Sequence, residues 1–277
     1  MSSSQAQLGS VSVGDNQPVA IMGIINLDPH SFYQNSYHAS SKEVLSAVER
    51  MVDENVDMID VGGVSTAPGS PIPPVEIEKK RVVKIIQSIV KNWDVPVSID
   101  TYRASVAQVA LVKGATIVND VSGLKFDPNM AKIIQDFGAS CVLMATKNRP
   151  GDRTTSTQVV SALRRSLHIA HTAEIPSNFI VVDPGLGFGK PFQNDLELIR
   201  NLRKIRILKK PILLGVSRKS FIGKVLGYPS PQDRLFGTLA AVTIAILEGA
   251  HVIRAHDVRA TSDCAKMVTA FSSNLRM

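Results

Sequence analysis

The sequence has few cysteines, few aromatic residues and no long apolar run. Cys141 and Cys264 are the only cysteines among 277 residues, and neither has a metal-ligand spacing around it, which argues against a disulfide framework or a cysteine metal site. We interpret both as reduced packing residues of a cytoplasmic protein. No apolar stretch approaches the roughly 20 residues that a membrane helix needs, so we expect no membrane association.

The chain is basic, with a net charge of +7 and a pI near 9.5. Nucleic-acid binding would explain this charge, but the basic residues are scattered and aromatic residues make up only 5% of the chain. The densest basic cluster, from Arg200 to Lys210, alternates with Leu and Ile at helical spacing, which predicts the solvated face of one helix. We therefore expect no nucleic-acid partner and favour an anionic small substrate.

The first 18 residues are small and polar. They contain neither the basic residues nor the apolar core of a secretory signal, and they predict a flexible leader over 1–18. Beyond them, apolar strands alternate with amphipathic helices in roughly eight units of about 30 residues. This order predicts an α/β protein with one domain over 19–277, a TIM (β/α)8 barrel.

The segment FIVVDPGLGFGK, over 179–190, organises the predicted site. An apolar run typical of a buried parallel strand leads directly into Asp183, and three alternating glycines let the backbone turn after it. Lys190 breaks the dinucleotide-binding glycine pattern, and Pro191 breaks the P-loop pattern. The segment predicts a fixed carboxylate above a loop into which a flat ligand could enter.

Polar residues follow several predicted strands, and the carboxyl ends of barrel strands meet at one face. Asp100, Asn119 and Asp183 form an acceptor-rich group that suits a ligand edge with adjacent N–H donors, such as a 2-aminopyrimidinone. Met144 either offers an apolar surface to a ring or packs in the core. For any one of these residues, turn chemistry is the commoner explanation. Their convergence predicts a site.

A second group carries positive charge. Arg254 and His256, with Asn26 opposite, could hold an anion or a metal-bound diphosphate, because barrels often bind phosphate after their last strands. Lys219 adds a cation at the head of a short helix. The two groups together predict a ligand with a hydrogen-bonding edge and an anionic end.

Seven motifs, in order, resemble those of dihydropteroate synthase, an enzyme family of folate biosynthesis. They are IMGIINLDPHSF, IDVGGVSTAPG, VSIDTYRA, IVNDVSG, VVDPGLGFGK, LLGVSRKSFIG and GTLAA followed by GAHVIRAHDV. The resemblance implies a homodimeric, Mg²⁺-dependent TIM barrel. It also implies a transferase that condenses 6-hydroxymethyl-7,8-dihydropterin diphosphate with 4-aminobenzoate and releases diphosphate.

The resemblance also implies roles for individual residues. The pterin would be bound by Asp100, Asn119, Met144, Asp183, Lys219 and Arg254. The diphosphate would be held by Asn26, Arg254 and His256, with Asn26 as the Mg²⁺ ligand. The aminobenzoate would be bordered by Thr66, Pro68, Phe188 and Ser220. The catalytic set would be Lys219, Arg254 and His256.

The loops depart from the family pattern. The first loop has Asp28 and His30 where the family usually has Thr and Asp, and Asp28 could supply the displaced carboxylate. Val64 and Ala67 replace a usual Glu and Arg of the second loop, and Ala145 replaces a usual His. Lys147, Arg149 or Arg153 could replace the missing Arg, with Arg149 the first choice.

These departures leave the rate and the second substrate open. They also leave open two alternative functions. One is a pterin-binding methyltransferase of the methyltetrahydrofolate:corrinoid type, which would not explain Asn26, Arg254 and His256. The other is a non-catalytic pterin-binding paralogue.

Overall fold

A closed barrel of eight parallel strands forms the core of the protein. The computed structural model describes residues 4–28, 41–64 and 72–274. Two short strands come first, β1 (Gln5–Leu8) and β2 (Val11–Gly14). The barrel strands are β3 (Ala20–Asn26), β4 (Met58–Gly62), β5 (Val97–Asp100), β6 (Ile117–Asp120), β7 (Ser140–Met144), β8 (Ile180–Asp183), β9 (Leu213–Leu214) and β10 (Val252–Ala255).

The order of the strands confirms the predicted TIM barrel. Strands β3 to β8 pair in sequence, and β10 pairs with both β3 and β9. The circle closes where Val182 forms a parallel bridge with Ile212 and its N–H donates to the carbonyl of Pro211 at 3.0 Å. The carboxyl ends of all eight strands therefore lie at one end of the barrel.

Helices surround the barrel. Within the described residues they are α1 (Ser41–Asp53), α2 (Val75–Asn92), α3 (Ala104–Val112), α4 (Met130–Asp136), α5 (Ser156–Thr172), α6 (Phe192–Arg200), α7 (Ser220–Leu226), α8 (Leu235–Leu247) and α9 (Val258–Asn274). Helix α1 shows why they pack as they do, because its buried residues Val44, Ala47, Val48 and Met51 form one apolar stripe. None of the helices in these ranges is long and apolar enough to cross a membrane.

The pleat of the strands decides which side chains enter the barrel. Ile117, Val181 and Val252 belong to a small apolar cluster inside the barrel, whereas their chain neighbours pack outward against the helices. Because strand side chains alternate, the residue two positions further along also points inward. Those residues are Asn119, Asp183 and Arg254.

The flexible leader predicted over 1–18 is wrong for most of its length. Residues 5–14 form an antiparallel hairpin, in which Leu8 pairs with Val11. Ala6, Leu8 and Val13 belong to the cluster inside the barrel, and Leu8 and Val13 are 0% exposed. The hairpin therefore closes the amino end of the barrel. Its composition is polar, but its few apolar residues alternate and all face one side.

Polar contacts also hold the hairpin to the barrel. Asp15 Oδ1 accepts a hydrogen bond from Arg206 Nη2 at 2.7 Å and lies 3.4 Å from His251 Nε2. His251 Nδ1 accepts from the N–H of Ile212 at 3.0 Å. Burial lowers the pKa of His251, so the ring is neutral and its hydrogen lies on Nε2, facing Asp15.

The single helix predicted for the basic segment from Arg200 to Lys210 is also wrong. Helix α6 ends at Arg200, and a separate 3-10 helix spans Leu202–Leu208. Leu202, Ile205 and Leu208 are spaced by three residues, which is the period of a 3-10 helix. The segment presents Arg206 to Asp15.

Candidate active site

Register places the predicted polar residues side by side at the carboxyl end of the barrel. Asn26 pairs with Gly62, Gly62 with Asp100, and Asp100 with Asn119, across four neighbouring strands. Further round, Met144 pairs with Asp183. Residues far apart in the sequence thus form one continuous rim.

Two glycines leave space between these side chains. A Cβ atom on Gly62 would lie 3.5 Å from Asn26 Oδ1 and 3.8 Å from Asp100 Cβ. A Cβ atom on Gly215 would lie 3.9 Å from Lys219 Nζ. Without these atoms, room remains between the polar side chains at the barrel end, and we refer to this space as the slot.

Arg254 lies between two carboxylates in this slot. Its Nε donates to Asp60 Oδ2 at 2.6 Å, and its Nη2 donates to Asp100 Oδ2 at 2.9 Å. Burial alone would lower the pKa of Arg254, but Asp60 and Asp100 raise it, so the guanidinium is a permanent cation. Burial raises the pKa of Asp100 to about 7, against the opposing effect of Arg254.

Asp60 is a site residue that the sequence analysis missed. It is 0% exposed, and its Oδ2 also accepts from Asn119 Nδ2 at 3.1 Å. A carboxylate in the middle of the apolar strand Met58–Gly62 cannot be explained by packing, and this was the available signal. Its partner Arg254 lies 194 residues away, so only the fold reveals the contact.

The glycine-rich loop after β8 joins Asp183 to Lys219. Asp183 Oδ1 accepts from the N–H of Gly185 at 2.7 Å. Lys219 Nζ donates to the carbonyl of Leu186 and lies 4.6 Å from the centre of the Phe188 ring. Burial lowers the pKa of Lys219 to about 8, although Asp183 opposes this shift. The predicted acid and the predicted cation therefore share one small region.

His256 is held by Ser217 on the other side of the slot. Its ring Nδ1 lies 2.9 Å from Ser217 Oγ, and its backbone N–H donates to the same oxygen at 3.2 Å. Burial and, to a smaller extent, the positive charges of Arg254, Arg218 and Lys219 together lower the pKa of His256 to about 3. The imidazole is neutral, so it can act as a hydrogen-bonding group or a metal ligand but not as a cation.

Arg218 holds the loops that carry these residues. Its Nε and Nη2 bind the two oxygens of Asp257 at 2.8 Å and 2.7 Å, and its Nη1 donates to the carbonyl of Pro231 at 2.9 Å. The bidentate pair ties the loop of Lys219 to the loop of His256. The sequence analysis assigned no role to Arg218.

Asp28 does not lie open to the slot. It is 2% exposed, and its Oδ2 lies 3.6 Å from Arg81 Nη1, which also donates to the carbonyl of Gly63 at 2.8 Å. This buried pair does not support the idea that Asp28 substitutes for the usual loop carboxylate. The other altered positions of these loops, His30 and Ala67, and the predicted aminobenzoate residues Thr66 and Pro68 lie outside the described residues.

The remaining predicted residues are distributed around the slot. Phe188 is half-buried beside Lys219, and Ser220 is exposed at the start of α7. Met144 is 1% exposed and lies beneath Gly185, whose Cβ would be 3.1 Å from Met144 Cγ. Met144 is thus packed in the core here, and its contact with a ring stays a prediction.

The chain matches known pterin-binding proteins over most of its length. The family model "Pterin binding enzyme" matches residues 22–256. The dihydropteroate synthase of Clostridium beijerinckii is 39% identical over 262 residues, covering 94% of this chain and 97% of its own. That of Bacillus subtilis is 38% identical, covering 90% of this chain and 87% of its own. The chain belongs to the dihydropteroate synthase family.

Solved structures of dihydropteroate synthases agree with this membership. One from Clostridium difficile, determined in the presence of pteroic acid, has a TM-score of 0.85 and 38% identity, covering 92% of this chain and 97% of its own. One from Xanthomonas albilineans with 4-aminobenzoic acid has a TM-score of 0.88 and 32% identity, and the match covers 98% of this chain and 99% of its own. As a dihydropteroate synthase family member, the chain is a transferase of folate biosynthesis.

Proposed function

We propose that the chain condenses 6-hydroxymethyl-7,8-dihydropterin diphosphate with 4-aminobenzoate and releases diphosphate. The observation that carries this proposal is the rim of acceptors, Asp100, Asn119 and Asp183, around a slot that also holds Arg254 and Lys219. A pterin has adjacent N–H donors on one edge and a carbonyl beside them. The acceptors of the rim are complementary to the N–H donors, and the cations are complementary to the carbonyl.

The acceptors would bind the edge of the pterin that carries N–H groups. Asp183 is suited to two parallel hydrogen bonds, because a carboxylate presents two oxygens in one plane. Lys219 would donate to the ring carbonyl, since its Nζ lies on the Asp183 side of the slot. Arg254 would lie against the ring face, because Asp60 and Asp100 hold its guanidinium in a fixed orientation.

The diphosphate would leave on the side of Asn26, Arg254 and His256. Within the described ranges, no group of three or more His, Cys, Asp or Glu could hold a metal by itself. Mg²⁺ commonly takes only one or two protein ligands and fills its shell with phosphate oxygens and water, so the side-chain oxygen of Asn26 fits this use. When bound there, Mg²⁺ would offset the negative charge on the leaving diphosphate.

The residues would act mainly through electrostatics. As the C–O bond to diphosphate lengthens, positive charge grows on the pterin methylene, while negative charge grows on the leaving group. Asp183 and Asp100 stabilise the positive charge on the methylene. Arg254 and His256 stabilise the negative charge on the leaving group. The amine of 4-aminobenzoate then forms the C–N bond and loses a proton. The reaction needs no protein nucleophile.

The second substrate would bind beside Phe188 and Ser220. Phe188 offers an aromatic surface next to Lys219, and Ser220 lies exposed at the start of α7. The structure from Xanthomonas albilineans with 4-aminobenzoic acid supports this choice of substrate.

The test is an assay of diphosphate release from the pterin diphosphate, with Mg²⁺ and 4-aminobenzoate. We expect release that depends on both additions and is lost in Arg254→Ala, because this change removes the cation between Asp60 and Asp100. Binding of the pterin without diphosphate release would refute the synthase activity. It would favour the methyltransferase or the non-catalytic alternative.

We also propose that two copies of the chain pair through α6, α7 and α8. A groove between these helices is lined mainly by apolar residues, and the large side chains nearby are exposed: Val225 by 53%, Phe236 by 82% and Ile244 by 47%. An apolar face of this kind is typical of a subunit interface. In sedimentation experiments, Phe236→Glu should lower the measured molecular mass from that of a dimer to that of a monomer. Met267→Glu, at an exposed position of α9, should leave the mass unchanged.

The chemistry of the two cysteines supports a cytoplasmic location, which we propose as well. Both are free thiols; Cys141 is buried, and burial raises its pKa strongly. Free thiols are usual in the reducing cytosol, whereas cysteines of proteins in oxidising compartments commonly form disulfides.

A further inference from the structure

Asp60 lies below the rim of the slot and is closed to solvent. It belongs to the middle of β4 and is 0% exposed. Its Oδ2 accepts two hydrogen bonds, one from Arg254 Nε at 2.6 Å and one from Asn119 Nδ2 at 3.1 Å. Among the described residues, Asp60 therefore acts on the slot through these two side chains.

The contact with Asn119 fixes how the amide is turned. An amide has a donor end and an acceptor end, and the two are interchanged by a half-turn about its terminal bond. With Nδ2 donating to Asp60, the oxygen of Asn119 is turned away from that carboxylate. The reversed amide would place its oxygen against a buried carboxylate, which is unfavourable because both atoms are acceptors. The group that Asn119 offers to a ligand is thus an acceptor.

We infer that Asp60 is a positioning residue that selects pterins, because it holds Asn119 with its oxygen towards the ligand. This inference rests on the proposed pterin-binding function. Asp60 also holds Arg254, but a change in Arg254 alters the binding of any flat ring. The orientation of Asn119, in contrast, distinguishes a ligand that presents a donor at that point from one that presents an acceptor.

The pair 6-hydroxymethylpterin and 6-hydroxymethyllumazine separates these two effects. The lumazine carries a carbonyl in place of the 2-amino group of the pterin and a hydrogen on N1, so the donor and the acceptor at these two positions are exchanged. The ratio of the two dissociation constants reports the donor and acceptor pattern of the slot, and a general loss of packing or of Arg254 orientation cancels from it.

Calorimetric titration of both compounds is the experiment. In Asp60→Ala, Asn119 can turn over, and we expect the preference for the pterin to fall about tenfold, the usual effect of one hydrogen bond. In Asp60→Asn, the new side chain should place its oxygen where the two donors converge, so the preference should stay within about threefold of the parent value. Asp60→Ser also removes the carboxylate and should repeat the Ala result if Asp60→Ala does not fold.

Asp57→Ala is the matched control. Asp57 lies just before β4 at the opposite end of the barrel, and its Oδ2 accepts from the N–H of Ile21 at 2.6 Å. This change should lower the melting temperature and leave the preference for the pterin unchanged. A structural role for Asp60 alone would give the same pattern as this control.

Three results would overturn the inference. The preference could be unchanged in Asp60→Ala and Asp60→Ser, or it could fall as far in Asp60→Asn as in Asp60→Ala. The third result is that the unmodified chain binds the two compounds equally well. This result would contradict the inference about Asp60 but not the proposed binding of pterins. If it bound neither compound, the proposed function would fail together with the inference.

Discussion

Lys219 lies against Phe188, with its Nζ 4.6 Å from the centre of the ring. The same amine donates to the carbonyl of Leu186, so it orders the glycine-rich loop while it faces the slot. Phe188 belongs to the predicted second-substrate side and Asp183 to the pterin side. One cation thus connects the two binding regions, and its protonation should influence both.

The affinity for a pterin should depend on pH in a bell-shaped way. Asp100 accepts an N–H more strongly when it is ionised, and burial raises its pKa to about 7, so affinity should rise as pH increases through that value. Lys219 donates more strongly when it is protonated, and burial lowers its pKa to about 8, so affinity should fall as pH rises above that value. The maximum should lie between these values in calorimetric titrations with 6-hydroxymethylpterin.

Asp100→Asn should remove the acidic limb of this profile and leave the alkaline limb. A flat profile from pH 6 to 9 in the unmodified chain would contradict the assignment of both residues.

Asp183→Asn should weaken pterin binding by roughly 2–4 kcal/mol, because an amide donor would face the donors of the ligand. The fold should survive, since the asparagine oxygen can still accept from the N–H of Gly185. Asp195→Asn is the control, because Asp195 holds the same loop through the N–H of Gly187 at 3.0 Å. If calorimetry gave equal losses for the two variants, Asp183 would have only a loop-ordering role.

The barrel and much of its rim could be predicted from the sequence, because both depend on local patterns. Each strand is a short apolar run; Asp100 and Asp183 are the last residues of their strands, and Asn119 is one residue before the end of its strand. The hairpin and Asp60 could not be predicted in this way. Leu8 is buried by the inside of the barrel, and Asp60 is paired with Arg254, which lies 194 residues away. The local sequence shows an unusual residue at each place but does not identify its distant partner.

His256→Ala should weaken binding of the pterin diphosphate at least tenfold more than binding of 6-hydroxymethylpterin. The neutral ring, held by Ser217, should meet the diphosphate end of the ligand rather than the pterin. The comparison needs both ligands in the same titration buffer with Mg²⁺. His251→Ala, at the opposite end of the barrel, should change neither affinity. Equal losses for the two ligands in His256→Ala would argue against a diphosphate role.

Leu8→Ala should lower the free energy of unfolding by about 2–5 kcal/mol, because it leaves a cavity inside the barrel. Leu8 is 0% exposed. Gln5→Ala, at an exposed position of the same strand, should stay within about 0.5 kcal/mol of the parent protein. Urea unfolding measures both. A mobile leader would give the same small effect at both positions, and that outcome would contradict the buried hairpin.

The last prediction concerns the cation missing at Ala67, a position outside the described residues. The loop after β7 is held by Asp152, whose oxygens accept from the N–H groups of Lys147, Asn148 and Arg149 at 3.0, 2.8 and 3.4 Å. Gly151 of the same loop has a φ of 82°, and a Cβ there would collide with the carbonyl of Phe188. The loop is therefore packed against the second-substrate side of the slot.

This geometry ranks the basic residues of the loop. Arg153 Nε donates to Asp152 Oδ1 at 3.1 Å, whereas Lys147 and Arg149 are exposed. We expect Arg149 to meet the departing diphosphate, an interaction made mainly in the transition state. Arg149→Ala should then lower kcat by roughly ten- to a hundredfold, the effect of one charge-assisted contact, and barely change pterin affinity.

Steady-state turnover and calorimetry on the same variants separate these effects. Lys147→Ala and Arg153→Ala are the comparisons, and Arg149→Lys, which keeps the charge, should retain most of the rate. Adding Ala67→Arg to Arg149→Ala should restore turnover if the two positions serve one task, because a guanidinium would again reach the leaving group. Full turnover in all three alanine variants would show that this loop does not supply the missing charge.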